Sequence, residues 1–160
     1  MGEPDSSRPL INFYSLGFDN PDTEEVEGSL ILSFPTFISG DLTVYETTYG
    51  PYPREAADVF VSRDGADWTS LGTADNSGTE AEFHPSTFHL DGCFQYVKIV
   101  DITNIGDFSG FPDTAQAFDV DAVCASSTCE EETAWGGCSE VDGEGFAGKN
   151  WATYFYYTLQ

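Results

Sequence analysis

Positive charge is the scarcest feature of this 160-residue sequence: 5 Lys and Arg stand against 28 Asp and Glu, a formal net charge of −23. Such a field repels phosphate backbones, so nucleic acid and anionic membranes are excluded as partners and cations are favoured. A saline habitat selects the same acidity for solubility, and both causes can act together. No apolar run is long enough for a membrane span, which excludes membrane insertion. Histidine occurs twice, and the 4 cysteines show neither a CxxC spacing nor a Cys/His zinc pattern, which removes zinc sites and dithiol redox motifs. Neither GxSxG nor HExxH occurs. No Asn-x-Ser/Thr sequon is present, and helical periodicity is nearly missing.

What is present is β-structure. Short alternating or apolar runs broken by Gly, Pro, Asp and Asn predict strands over 10–16, 29–34, 42–47, 58–62, 69–73, 80–83, 94–101, 118–124 and 151–159. A chain this long forms one domain with a sizeable core. The expected fold is all-β, an antiparallel β-sandwich, with its core over about 10–125. Residues 126–160 form an acidic, Cys-containing join followed by an aromatic strand. The plainest local signal is DVFVSRDGADWTSLG, where Asp64-Gly65 closes a hairpin and Trp68 packs back across it.

Four cysteines in this pattern read as two disulfides and hence an exported, extracellular or cell-surface protein. The polar start MGEPDSSRPL is no signal peptide, so Met1 is read as an added start with the native leader removed. Were 94–101 and 118–124 antiparallel neighbours, Cys93 would face Cys124, leaving Cys129 with Cys138; the other connectivities stay open.

The candidate chemistry lies in acids that follow strand alternation. Glu46 continues the face of Leu42 and Val44, Asp101 that of Val97 and Ile99, and AFDVDAV sets Asp119 and Asp121 side by side. Buried carboxylates need a cationic partner, hydrogen bonds or a metal. With so few bases, calcium is the expected cofactor, bound by Glu46, Asp101, Asp119 and Asp121, with Asp19 as an addition. The alternative is that Asp119 and Asp121 cap loop amides or face water. His84 and His89, in EFHPSTFHL, read as loop residues.

An acid pair for glycoside hydrolysis carries little weight among so many acids, so the chain is not expected to be an enzyme. Tyr49 and Tyr52 could stack on sugar rings or pack against Pro51 and Pro53. Phe108 and Phe111 either pack down or meet a ligand. Trp151, Phe155 and Tyr157 are expected to dock on the body, add an edge strand, or join another chain.

LTVYETTYGPYPREAADVFVSRDGADWTSLG, YVKIVDITN and AFDVDAV together resemble a family of bacterial secreted and cell-surface β-sandwich domains over about residues 28–125. The tail ETAWGG…GKNWATYFYYTL is similar to segments near the ends of such surface proteins, while the join at 124–138 departs from the pattern. The resemblance implies a jelly roll similar to discoidin-like, galactose-binding-like domains, with calcium supporting the loops and a role in attachment or carbohydrate binding. The acids it carries over are Glu46, Asp101, Asp119 and Asp121. The expected function is a non-catalytic, calcium-stabilised surface module in structural assembly or adhesion, with neighbouring subunits or domains as partners; the alternative is a carbohydrate-binding module whose partner is a glycan. A glycoside-active enzyme is the lesser third.

Overall fold

The computed structural model describes residues 13–17, 28–48, 53–77, 83–110, 117–129, 137–140, 145–146 and 153–154. Its strands are β1 (Tyr14–Ser15), β2 (Ser29–Thr47), β3 (Ala56–Ser62), β4 (Thr69–Asp75), β5 (Phe83–Asp101), β6 (Asp119–Thr128), β7 (Gly137–Glu140), β8 (Gly145–Phe146) and β9 (Thr153–Tyr154). One 3-10 turn, Ile105–Phe108, is capped by the Asn104 side chain. Ladders join all the strands in one sheet of order β4-β3-β5-β2-β6-β1-β8, with β7 added to β6 and β9 to β2. The chain is all-β. Its longer strands pair antiparallel and curl as a half-barrel around one core.

Alternation explains the curl. In β2 the buried positions Leu30, Leu32, Phe34, Ile38, Leu42 and Val44 share one parity, so a single apolar face runs the whole strand. β3 contributes Ala57, Val59 and Val61, and β5 contributes Leu90, Val97 and Ile99. β6 has strands on both sides and adds Val120, Val123 and Ala125 to the same core.

β2 and β5 each span what alternation divides in two. Both run 19 residues. The first part of β2 pairs with residues 96–100 of β5, the last part with residues 83–90, and register shifts between Ser33 and Gly40 absorb the bend. Gly40 sits at φ +75, and a Cβ there would lie 2.4 Å from the Ser126 hydroxyl, so glycine is required at this corner. Pro85, which breaks the sequence pattern, lies where, among the described residues, β5 has a ladder partner on the β2 side alone, a place where proline is tolerated. His84 and His89 are therefore strand residues, not loop residues.

The expected Cys93–Cys124 bridge is corrected. β2 stands between β5 and β6, and its Ile38 is opposite both Phe94 and Thr128. The neighbouring cysteines bond across it, Cys93 to Cys129, with Cα atoms 6.0 Å apart. This pairing also rules out Cys129–Cys138. Cys124 is itself disulfide-bonded, and the cysteine opposite it in the β6–β7 ladder is Cys138.

The Asp64-Gly65 hairpin forms as expected. Gly65 takes φ +78, and Asp64 Oδ1 accepts from Ala66 N at 2.9 Å and Asp67 N at 3.0 Å, which holds its carboxyl below the usual range. Trp68 packs across the strands through Lys98 of β5, whose Nζ lies 4.7 Å from the Trp68 ring and 4.8 Å from Phe60.

Candidate functional site

Strand ends bring the acids together at one end of the half-barrel. Glu46 is the penultimate residue of β2, Asp101 closes β5, Asp119 opens β6, and Glu55 immediately precedes β3. The registers Glu46↔Val120 and Ala57↔Asp101 set these ends side by side. Glu46 and Glu55 are 0% and 1% exposed, so water cannot solvate either charge. Asp101 and Asp121 are buried as well.

Hydroxyls, an amide and the backbone surround the cluster. Thr48 Oγ1 contacts Glu46 Oε1 very closely and lies 2.9 Å from Glu55 Oε2. Asn76 Nδ2 reaches Glu55 Oε2 at 3.3 Å, Thr48 Oγ1 at 3.2 Å and the Pro53 carbonyl at 3.2 Å, while its Oδ1 accepts from Glu55 N at 3.0 Å. Asp101 is separately satisfied. Its Oδ1 accepts from the Thr103 hydroxyl at 2.6 Å and from Phe118 N at 3.3 Å, and its Oδ2 from Thr103 N at 3.2 Å. Glu46 Oε2 and Asp119 Oδ1 are buried and find no hydrogen-bond partner among the described residues. The Ser15 hydroxyl, opposite Asp119 in the ladder, favours its charged form yet stands outside hydrogen-bonding geometry.

No described Lys or Arg neutralises these acids. Arg54 bonds Asp75 at 2.7 Å, Arg63 lies over Phe37, and Lys98 is held by Phe60 and Trp68. His84 Nε2 is 4.0 Å from Glu46 Oε2, beyond hydrogen-bonding distance. Burial therefore drives the carboxyls toward their neutral forms. Loss of water raises Glu46 to about 7, Glu55 to about 10 and Asp119 to about 8. The nearby charges of Glu46 and Asp119 raise Glu55 further, and those of Glu46 and Asp101 raise Asp119. Thr48 opposes the rise at both glutamates.

Glu46, Asp101 and Asp119, which alternation singles out, lie at one rim together with Glu55, which it does not single out. Among the described residues, no three acidic, histidine or cysteine side chains stand together in a metal-holding group. Asp19, Tyr49, Tyr52, Phe111, Trp151, Phe155 and Tyr157 lie outside the described residues. Phe108 is buried, so it packs inward. Among the described residues no helix is long and apolar enough to cross a membrane. Comparison with protein-family models, curated proteins and solved structures finds no match to this chain.

Proposed function

We propose that the chain is a non-catalytic extracellular surface module of the jelly-roll sandwich kind, joined to neighbouring subunits through strand edges. The observation that carries this reading is the pairing of β9, from the aromatic tail, with the edge of β2 at Ile31 and Leu32. A strand so distant in sequence completes an edge, and main-chain pairing of this kind works equally well between chains. The Cys93–Cys129 bridge supports an oxidising location. The carboxyl pair of Glu46 and Glu55 has almost no solvent face to offer a substrate, which supports a non-catalytic role. Calcium would enter this reading as a stabiliser of the fold.

Sedimentation velocity over a range of concentrations tests the proposal. Association by the full chain that disappears on deleting residues 150–160 is the expected result. A well-folded chain that stays monomeric at every concentration overturns it.

A further inference from the structure

We propose that a shared proton, rather than a metal ion, balances the buried carboxyl groups of Glu46 and Glu55, making the domain an acid-stabilised fold. The geometry is one of counting. Thr48 has a single hydroxyl proton, yet its oxygen contacts both Glu46 Oε1 and Glu55 Oε2. It can donate to only one of them. The other contact is a hydrogen bond only if that carboxyl is protonated and donates to Thr48. Two carboxylates here would leave one anionic oxygen against the Thr48 oxygen with no proton between them, and Asn76 Nδ2 reaches only Glu55 of the pair.

Among the described residues no Lys or Arg balances the pair. From β5, His84 stands 4.0 Å from Glu46 Oε2, and Asp101 is satisfied by Thr103 and Phe118. From β6, Asp119 adds negative charge. From the end of β4, Asn76 brings a neutral amide to Glu55, and Arg54, beside Glu55 in sequence, is turned outward to Asp75. Glu55, raised furthest, is the member that keeps its proton at neutral pH. No three groups converge to hold a metal among the described residues, in keeping with a proton as the balancing cation.

The sign of the pH dependence follows from these directions. A carboxyl that titrates higher in the folded than in the unfolded chain binds protons more tightly when folded. Stability is then fullest below the ordinary glutamate value of 4.5, and it drains as pH climbs through about 7 for Glu46 and about 10 for Glu55.

Two measurements on the whole chain test the proposal. In chelator and high salt, which screens surface repulsion, the melting temperature should fall by several degrees from weakly acidic to weakly alkaline pH, and calcium added in place of the chelator should shift the wild type and Glu55→Gln alike. Glu55→Gln keeps a neutral acceptor for Thr48 and Asn76, so its melting temperature should exceed the wild type's at alkaline pH and vary less with pH. On the wild type, 13C NMR of labelled glutamate side chains should show a carboxyl that stays protonated above neutral pH and is missing from Glu55→Gln. Overturning results are that every glutamate titrates in the ordinary acidic range, or that calcium raises the melting temperature by several degrees and loses that effect in Glu55→Gln.

Discussion

Thr48 is the residue on which the acid cluster turns. Its hydroxyl serves Glu46 and Glu55 and also accepts from Asn76 Nδ2 at 3.2 Å. Thr48→Val preserves shape but strips the hydroxyl, leaving buried polar groups that lose a partner at about 1–3 kcal/mol each. We expect a loss of about 3 kcal/mol in urea unfolding at pH 5, with the slope in denaturant unchanged. Gly28 shows a different constraint. A Cβ there would lie 1.8 Å from the Leu16 carbonyl oxygen, a backbone atom, and its own carbonyl accepts from Asp101 N at 2.8 Å. Gly28→Ala must push two segments apart, and a loss of about 3 kcal/mol, the upper end for overpacking, is expected in the same assay. The acids differ in how visible they are in sequence. Glu46, Asp101 and Asp119 lie on strands whose period-two pattern points to them. Glu55 precedes β3 in an irregular Pro-Arg-Glu stretch and finds its partner, Asn76, after β4, so nothing local marks it.

At the scale of elements, local devices were legible and long-range ones were not. The β3–β4 hairpin closes within a few residues, and Asp64 with Gly65 specifies it by chemistry alone. β2 and β5 look interrupted because Pro35, Gly40, Pro85 and Gly92 resemble turn signals. Pairing between the two strands outweighs those signals, and bulges take up the irregularity. The disulfide is hidden from the sequence for a related reason: β5 and β6 are consecutive in sequence, yet β2 lies between them in the sheet. Cys93–Cys129 closes a loop with a sequence separation of 36 and ties β5 to β6 across the irregular part of β2. In the chain-entropy account a loop of that size contributes about 4 kcal/mol. The double variant Cys93→Ser/Cys129→Ser should lose about that much in denaturant unfolding, with amides around Ile38 exchanging with solvent before those of Val59 and Val61. Simultaneous exchange at all these sites would show that the bridge adds no local restraint.

For the molecule as a whole, a net charge of −23 decides what kind of association is open to it. Two copies of such a chain repel, and the repulsion reaches about 30 Å at 0.01 M salt but only about 10 Å at 0.1 M. Main-chain pairing and aromatic burial at an edge are short-ranged and insensitive to salt, so they prevail only once the repulsion is screened. Assembly through the β2 edge and the aromatic tail should therefore strengthen as sodium chloride rises from about 0.01 M to about 0.3 M, a range that shortens the screening length severalfold. Charge-complementary docking would weaken over the same range. Sedimentation velocity at fixed protein concentration distinguishes the two, and a chain lacking residues 150–160 provides the control. If association is strongest at the lowest salt, complementary charges make the contact and the strand edge does not. If high salt drives association of the truncated chain as strongly as the full one, the contact lies away from the tail.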